Sequence, residues 1–434
     1  MKSATGAVLD EARVLELAAL GARVQDLYGV PVDVEWAVHD GRIAILQARP
    51  VTALPEVWND SLRGDYLWTC ANLGEAVPSV MTPATWSFAQ VLARPPIGGV
   101  PTTGNIGGRF YLNLSAVFAV ASALGLTGLM RRLAEHTFGR IPDDVEVPPL
   151  PLSRRATVRA ALGAAVPFVR QTREYRRRIG VLLPGAPARA EELRARIAAT
   201  RTPAELSALW TSDVDAFLRD DIRVYDAGAG SVVMDDAKLR RKLYALVGEA
   251  DTTALMTGAH GADGDLASLG PLLGLSRLRR GEIDRATYTR LWGHRCADEY
   301  EVSVPRPAED PTWIDRQLAL DGPDPEELLH RQAIARDQAR QRLLAAHPRK
   351  AARIRRELDA LAEATRGRER ARSEMVRGFA VLRAFVVRAG ELTGADTFML
   401  SYREILAVLD GDTRPLALID ARRAAYDRYR RTRP

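Results

Sequence analysis

Residues 33–52 read DVEWAVHDGRIAILQARPVT. Two runs rich in β-branched and apolar residues flank Asp40-Gly41, a pair suited to a tight turn, so the stretch predicts a β-hairpin. With a three-residue loop (Asp40, Gly41, Arg42), Glu35 falls opposite Gln47 and Asp33 opposite Arg49. Those four polar side chains then share one face, while Val34, Trp36, Val38, Ala44, Leu46 and Ala48 share the other. A two-residue loop moves the register by one and separates Glu35 from Gln47 and Arg49; the residues leave both registers open. A carboxylate, an amide and a guanidinium on one face suit a magnesium-bound polyphosphate. The competing reading is a half-exposed hairpin with ordinary polar residues outward.

Upstream, residues 8–28 carry apolar side chains at helical spacing and stop at Gly29 and Pro31. Downstream, residues 55–109 are rich in Pro, Gly, Thr and Trp and read as irregular segments joining short helices. Helix candidates then run through 204–226, 236–249, 283–293, 325–346, 349–364 and 368–392, with His347-Pro348 as a break. Thr202-Pro203-Ala204-Glu205 has the chemistry of a capping box, and Asp324-Pro325-Glu326-Glu327 repeats it. Phe110 to Met130 is uncharged for 21 residues but holds Asn113, Ser115, Ser122 and Thr127, which favours a buried helix over a membrane span.

The 434 residues set an expectation of two or three folded units. Apolar residues at 47%, charged residues at 27% and 58 Gly plus Pro exclude collagen, low-complexity disorder and a disulfide-framework miniprotein. Of the 61 basic residues 57 are arginine, yet 55 acidic residues leave only +6. The arginines alternate with Glu and Asp along helical stretches, the pattern of solvated helix faces and not of a nucleic-acid surface. Two cysteines, Cys70 and Cys296, form no framework or CxxC site, and residues 1–10 have no apolar core. A cytoplasmic chain without nucleic acid or membrane partners is expected.

Several stretches carry a family resemblance. DVEWAVHDGRIAILQARPVT resembles the end of the ATP-grasp domain of the pyruvate phosphate dikinase and phosphoenolpyruvate synthase group, where an EWA strand and an LQxRPxT strand close the ATP site. ANLGEAVPSVMTPATWS (71–87), GGRFYLNLSA (107–116) and GHRCADEYEVSVPRPAEDPTW (293–313) are similar to segments of the rifampicin phosphotransferase branch, with Cys296 where that branch usually has Gly. The tail, with DTFMLSYREI (396–405), resembles its closing segment.

The resemblance implies a mainly α chain: one helix and a hairpin from the end of an ATP-grasp domain (1–54), then a helical substrate-binding middle domain (55–434), with possible lobes at 55–200 and 201–434. It implies that Glu35 ligates Mg²⁺ or phosphate, that Gln47 and Arg49 hold the ATP phosphates, and that Arg49 stabilises the transferring phosphoryl group. Asn72, Glu75, Thr82, Trp86, His294 and Arg295 are the candidate substrate contacts; turn, cap and core roles compete for each of them. None of the six histidines lies in the SHA- or SHG-like context of the family's phosphohistidine, and Lys2 is the sole lysine before residue 238. The chain is therefore expected to bind ATP poorly and phosphorylate nothing alone, and to need partner chains carrying the ATP-grasp core and the phosphohistidine domain. The implied reaction uses ATP and water to phosphorylate a small molecule, releasing AMP and phosphate; the alternative is a non-catalytic helical small-molecule-binding protein.

Overall fold

The computed structural model describes residues 9–28, 32–50, 64–71, 77–92, 95–138, 141–142, 144–229, 232–259, 266–320, 322 and 324–432. The protein is mainly α and forms two compact units, residues 1–57 and 58–434. In the first, helix α1 (Glu11–Tyr28) packs on a hairpin of β1 (Val32–His39) and β2 (Arg42–Pro50). Leu17, Leu20 and Val24 are its half-buried stripe, at the i, i+3 and i+7 spacing of one helix face.

The hairpin resolves the register by an unexpected route. The loop has two residues, with Asp40 at φ 46° and Gly41 at φ 72°, and His39 pairs with Arg42. Trp36 pairs with Ile45 but Glu35 pairs with Gln47, so Leu46 is an extra, bulged residue. The bulge restores Glu35 opposite Gln47 and Asp33 opposite Arg49. It also corrects the apolar face: Ile43 and Ile45, not Ala44 and Leu46, sit opposite Val38 and Trp36, and Leu46 is exposed.

In the second unit, the segment expected to be irregular holds a three-stranded antiparallel sheet in the order β3-β5-β4: β3 (Trp68–Thr69), β4 (Thr103–Ile106) and β5 (Arg109–Asn113). Gly107 and Gly108, at φ 56° and 77°, make a two-residue turn between β4 and β5. Helix α2 (Pro83–Leu92) lies between β3 and β4 in the chain. The uncharged stretch 110–130 is not one helix. It divides into β5, α3 (Leu114–Ala123) and the start of α4 (Thr127–Phe138), because Asn113 caps α3 and Gly125 takes φ 74° after it.

Long helices follow: α5 (Arg154–Ala199), α6 (Pro203–Leu209), a π-turn at Trp210–Val214, α7 (Asp215–Ala229) and α8 (Val232–Ala259), which bends at Gly248. Then come α9 (Gly270–Arg279), α10 (Arg285–Trp292), α11 (Trp313–Leu318), α12 (Pro325–Ala346), α13 (Pro348–Thr393), α14 (Tyr402–Leu409) and α15 (Ile419–Arg431). The N-caps form without the reciprocal bond of a capping box: Thr202 Oγ1 accepts from Glu205 N at 3.3 Å while Glu205 Oε2 accepts from Arg201 N, and Asp324 Oδ1 accepts from Glu326 N at 3.0 Å. The candidates 349–364 and 368–392 are one continuous helix, α13. Its later part joins the main core with Phe88, Ile197, Leu218, Tyr402 and Ile405, and its earlier part packs Ile354, Leu358 and Leu361 against Leu243 and Leu343. No helix among the described residues is long and apolar enough to cross a membrane.

Candidate functional site

Two groups of predicted residues take shape, one in each unit. On the polar face of the hairpin, Arg49 Nε donates to Asp33 Oδ2 at 3.4 Å and its Nη2 to Glu35 Oε1 at 3.3 Å. Gln47 is the cross-strand partner of Glu35. All of these side chains are more than half exposed or on exposed positions, so the ion pairs add little stability; the arrangement is available to a ligand. Two carboxylates supply the hard oxygens that Mg²⁺ prefers, and the guanidinium and amide supply phosphate donors, so the donor set fits a magnesium-bound phosphate. Among the described residues there is no His/Cys/Asp/Glu cluster with the makings of a closed metal site.

The second group lies inside the helical unit, where segments far apart in sequence meet at the N-terminus of α2. Thr82 caps that helix: its hydroxyl accepts from Thr85 N at 3.4 Å, and Pro83 takes the first helical position. Thr82 also donates twice to Glu301, from N at 2.9 Å and from Oγ1 at 2.8 Å, while Val302 N donates to Thr85 Oγ1 at 3.0 Å. Ser79 hydrogen-bonds Asp298. Trp86 stacks edge-on against Phe110, and Met81 N donates to the Gly108 carbonyl at 2.8 Å. A Cβ on Gly108 would lie 2.5 Å from Val80, which explains the glycine there. Tyr402 N donates to Ser87 Oγ at 2.9 Å. The stretches 79–87, 107–116, 293–313 and 396–405 thus form a single packing junction.

Within it, Arg306 is 1% exposed and holds the loop 293–306 in shape, donating to the carbonyls of Asp298, Glu299 and Glu301 at 3.2, 2.9 and 3.3 Å. Its Nη1 also lies 2.7 Å from Cys296 Sγ. Arg295 pairs with Glu299, and both are buried. Gly293 ends α10 where a Cβ would strike the Thr289 carbonyl at 2.3 Å. His294 is 4% exposed, with Nε2 3.3 Å from Ser373 Oγ on α13 and Nδ1 unpartnered. Burial first, then the charges of Arg377, Arg295 and Arg306, push His294 well below the usual imidazole range, so it is neutral.

Thr82, Trp86, His294 and Arg295 are therefore brought to one junction, all of them buried and, for the three polar residues, in internal bonds. Asn72 and Glu75 lie outside the described residues. Beside this junction is a group that the sequence reading did not single out. Asp221 of α7 is buried with Oδ2 unpartnered, pressed so near α13 that a Cβ on Gly378 would sit 2.8 Å from that oxygen. Burial, reinforced by Glu374, holds its carboxyl well above the usual range, against the opposing pull of Arg189 and Arg377. Glu374 is itself raised by burial although Arg377 Nε donates to it at 2.8 Å. Isolated acidic residues on helices carry no spacing signal, which is why only the folded chain reveals them.

Residues 1–63 match the family profile of the pyruvate phosphate dikinase AMP/ATP-binding domain. A probable phosphoenolpyruvate synthase of Methanothermobacter thermautotrophicus is 44% identical over 54 residues, 12% of this chain and 8% of that protein. A rifampicin phosphotransferase of a Streptomyces species is 28% identical over 151 residues, 33% of this chain and 16% of that protein. The prodigiosin synthesizing transferase PigC of Serratia marcescens is 34% identical over 85 residues, 17% of this chain and 10% of that protein. The chain thus matches less than a fifth of the length of each of these relatives. Over this partial coverage the chain is similar to phosphotransferases of the phosphoenolpyruvate synthase and pyruvate phosphate dikinase group.

Proposed function

We propose that this chain is the substrate-binding part of a dikinase-type phosphotransferase. The complete reaction consumes ATP, water and a small molecule bearing a hydroxyl or enol, and yields AMP, inorganic phosphate and the phosphorylated molecule. The observation that supports it is the hairpin face: a bulge at Leu46 puts Glu35, Gln47, Asp33 and Arg49 together despite a loop that would otherwise part them.

When bound, Mg²⁺ and ATP supply the phosphoryl group and the charge that holds it in line. This chain contributes the carboxylate of Glu35 toward the cation and the donors of Gln47 and Arg49 toward phosphate oxygens. Arg49 suits the catalytic role because its planar, always-charged guanidinium grips two oxygens at once. Partner chains carrying the ATP-grasp core and the phosphohistidine domain complete the enzyme. In the helical unit, Asn72, Glu75, Thr82, Trp86, His294 and Arg295 are assigned to the substrate side, the buried ones acting by shaping the junction.

The test combines the chain with the nucleotide-binding and phosphohistidine domains of the Streptomyces relative and measures AMP formation with rifampicin or pyruvate supplied. Substrate-dependent AMP is expected, and Arg49→Ala is expected to reduce it by about 100-fold or more, as removal of a charge-stabilising group does. Unchanged AMP formation in Arg49→Ala sinks the phosphate-clamp role. No AMP with any substrate favours instead a non-catalytic helical binding protein, a reading to which the internal hydrogen bonds of Thr82, His294 and Arg295 also lend themselves.

A further inference from the structure

Helix α5 carries an open groove of about 610 Å³ along residues 165–177. The described wall is one face of the helix, from residue 165 to residue 177, a length of about 18 Å at the helical rise. Chemistry is segregated along that length. Val166 and Val169 line the first part and are 63% and 44% exposed, so their apolar surface is open to a ligand. Arg170, Arg173 and Arg177 line the second part, at i+4, i+7 and i+11 from Val166, so that valines and guanidinium groups share one stripe. Glu174, four residues after Arg170 and three before Arg177, also lines it, so the described lining carries three positive charges against one negative.

These three arginines differ from their neighbours. Arg176 donates to the Ala227 carbonyl at 3.0 Å, Arg178 stacks on Tyr175, and Arg189 reaches Asp220 at 3.9 Å. Arg170, Arg173 and Arg177 have no ion pair or hydrogen bond among the described residues. Three free guanidinium groups at one end of an exposed apolar strip are complementary to a molecule with an anionic head and an apolar body. Nucleic acid is a poorer match, since among the described lining residues the cationic run is three residues long and no side chain is aromatic. We propose that this groove binds a free amphipathic organic anion, its apolar body over Val166 and Val169 and its sulfonate, phosphate or carboxylate among Arg170, Arg173 and Arg177.

The full chain titrated with 8-anilinonaphthalene-1-sulfonate provides the test, read by fluorescence and calorimetry. One saturable site is expected. Arg173→Ala/Arg177→Ala should weaken it about tenfold or more, the worth of one charged hydrogen bond. Val166→Ser/Val169→Ser should also weaken it, and raising NaCl from about 0.05 M to about 0.5 M should do so in the native chain. In competition, 1-naphthyl phosphate should displace the probe far better than neutral 1-naphthol. The substituted positions are exposed, and an unchanged melting temperature verifies that each variant is folded. As a control, Leu272→Ser in a separate apolar cleft between α9 and α12 should leave the titration unaltered. Binding within twofold of native in the double arginine variant overturns the proposal, as does equal displacement by 1-naphthol. Sedimentation of the chain with phosphatidylglycerol vesicles, with no saturable binding of either soluble anion, assigns the face to a lipid surface and also overturns it.

Discussion

At the scale of single residues, the junction at the start of α2 depends on a few buried polar groups whose partners lie more than two hundred positions away in sequence. Glu301 is 1% exposed and accepts both hydrogen bonds of Thr82. Thr82→Val keeps the volume but strips one donor from a buried carboxylate, so a loss of about 1–3 kcal/mol in unfolding free energy is expected by denaturant titration. Asp221 and His294 make stability depend on pH in opposite directions. Asp221 has a folded pKa above its usual 3.8, so the folded state holds its proton more tightly than the unfolded chain; stability falls as pH rises above 3.8 through the raised value. His294 has a folded pKa below its usual 6.5, so stability falls as pH drops below 6.5. Asp221→Asn removes only the first effect. Its melting temperature relative to native should therefore rise as pH climbs above 3.8 and level off once pH passes the raised value, as read by scanning calorimetry, and a constant difference throughout contradicts the assignment.

At the scale of elements, the hairpin shows how one residue sets the use of a whole face. Asp40-Gly41 in the left-handed region closes a two-residue loop, and that loop alone would turn Gln47 and Arg49 away from Glu35. Leu46 absorbs the shift as a bulge. Deleting Leu46 is expected to remove the bulge and leave Gln47 opposite Glu35 and Arg49 opposite Asp33, because the two-residue loop then pairs the strands with no surplus residue. Cross-strand nuclear Overhauser contacts between Glu35 and Gln47 should persist, and AMP formation in the assembled system should stay far above that of Arg49→Ala; loss of those contacts contradicts the bulge assignment. The sequence reading found the four residues because their polarity alternates along the strands. Loop length and bulge were illegible because two local choices compensate: a three-residue loop without a bulge yields the same polar face. Likewise 110–130 is uniform in polarity, so its division at Asn113 and Gly125 became visible only through capping and positive φ.

At the scale of the molecule, α13 is the spine of the helical unit. Its 46 residues enter two hydrophobic cores, one through Val376, Phe379, Leu382 and Phe385 and one through Ile354, Leu358 and Leu361. Gly367, near the middle, carries a cost of about 1 kcal/mol against alanine, far less than either core repays, which is why the helix runs through it. Gly367→Pro is expected to cost about 3 kcal/mol or more and to uncouple the cores, splitting one calorimetric transition into two. A single unshifted transition shows that the cores are joined by other contacts. By itself the sequence determined the helical class, the caps, the hairpin and the family likeness of the N-terminal residues, because periodicity, capping chemistry and strand alternation are local properties. Only the tertiary structure decided that four separated stretches meet around α2, that Asp221 and His294 are buried without full partners, and that the hairpin's carboxylates and guanidinium share a face. Those outcomes depend on contacts between residues distant in the chain and on one bulge, and neither has a local signature.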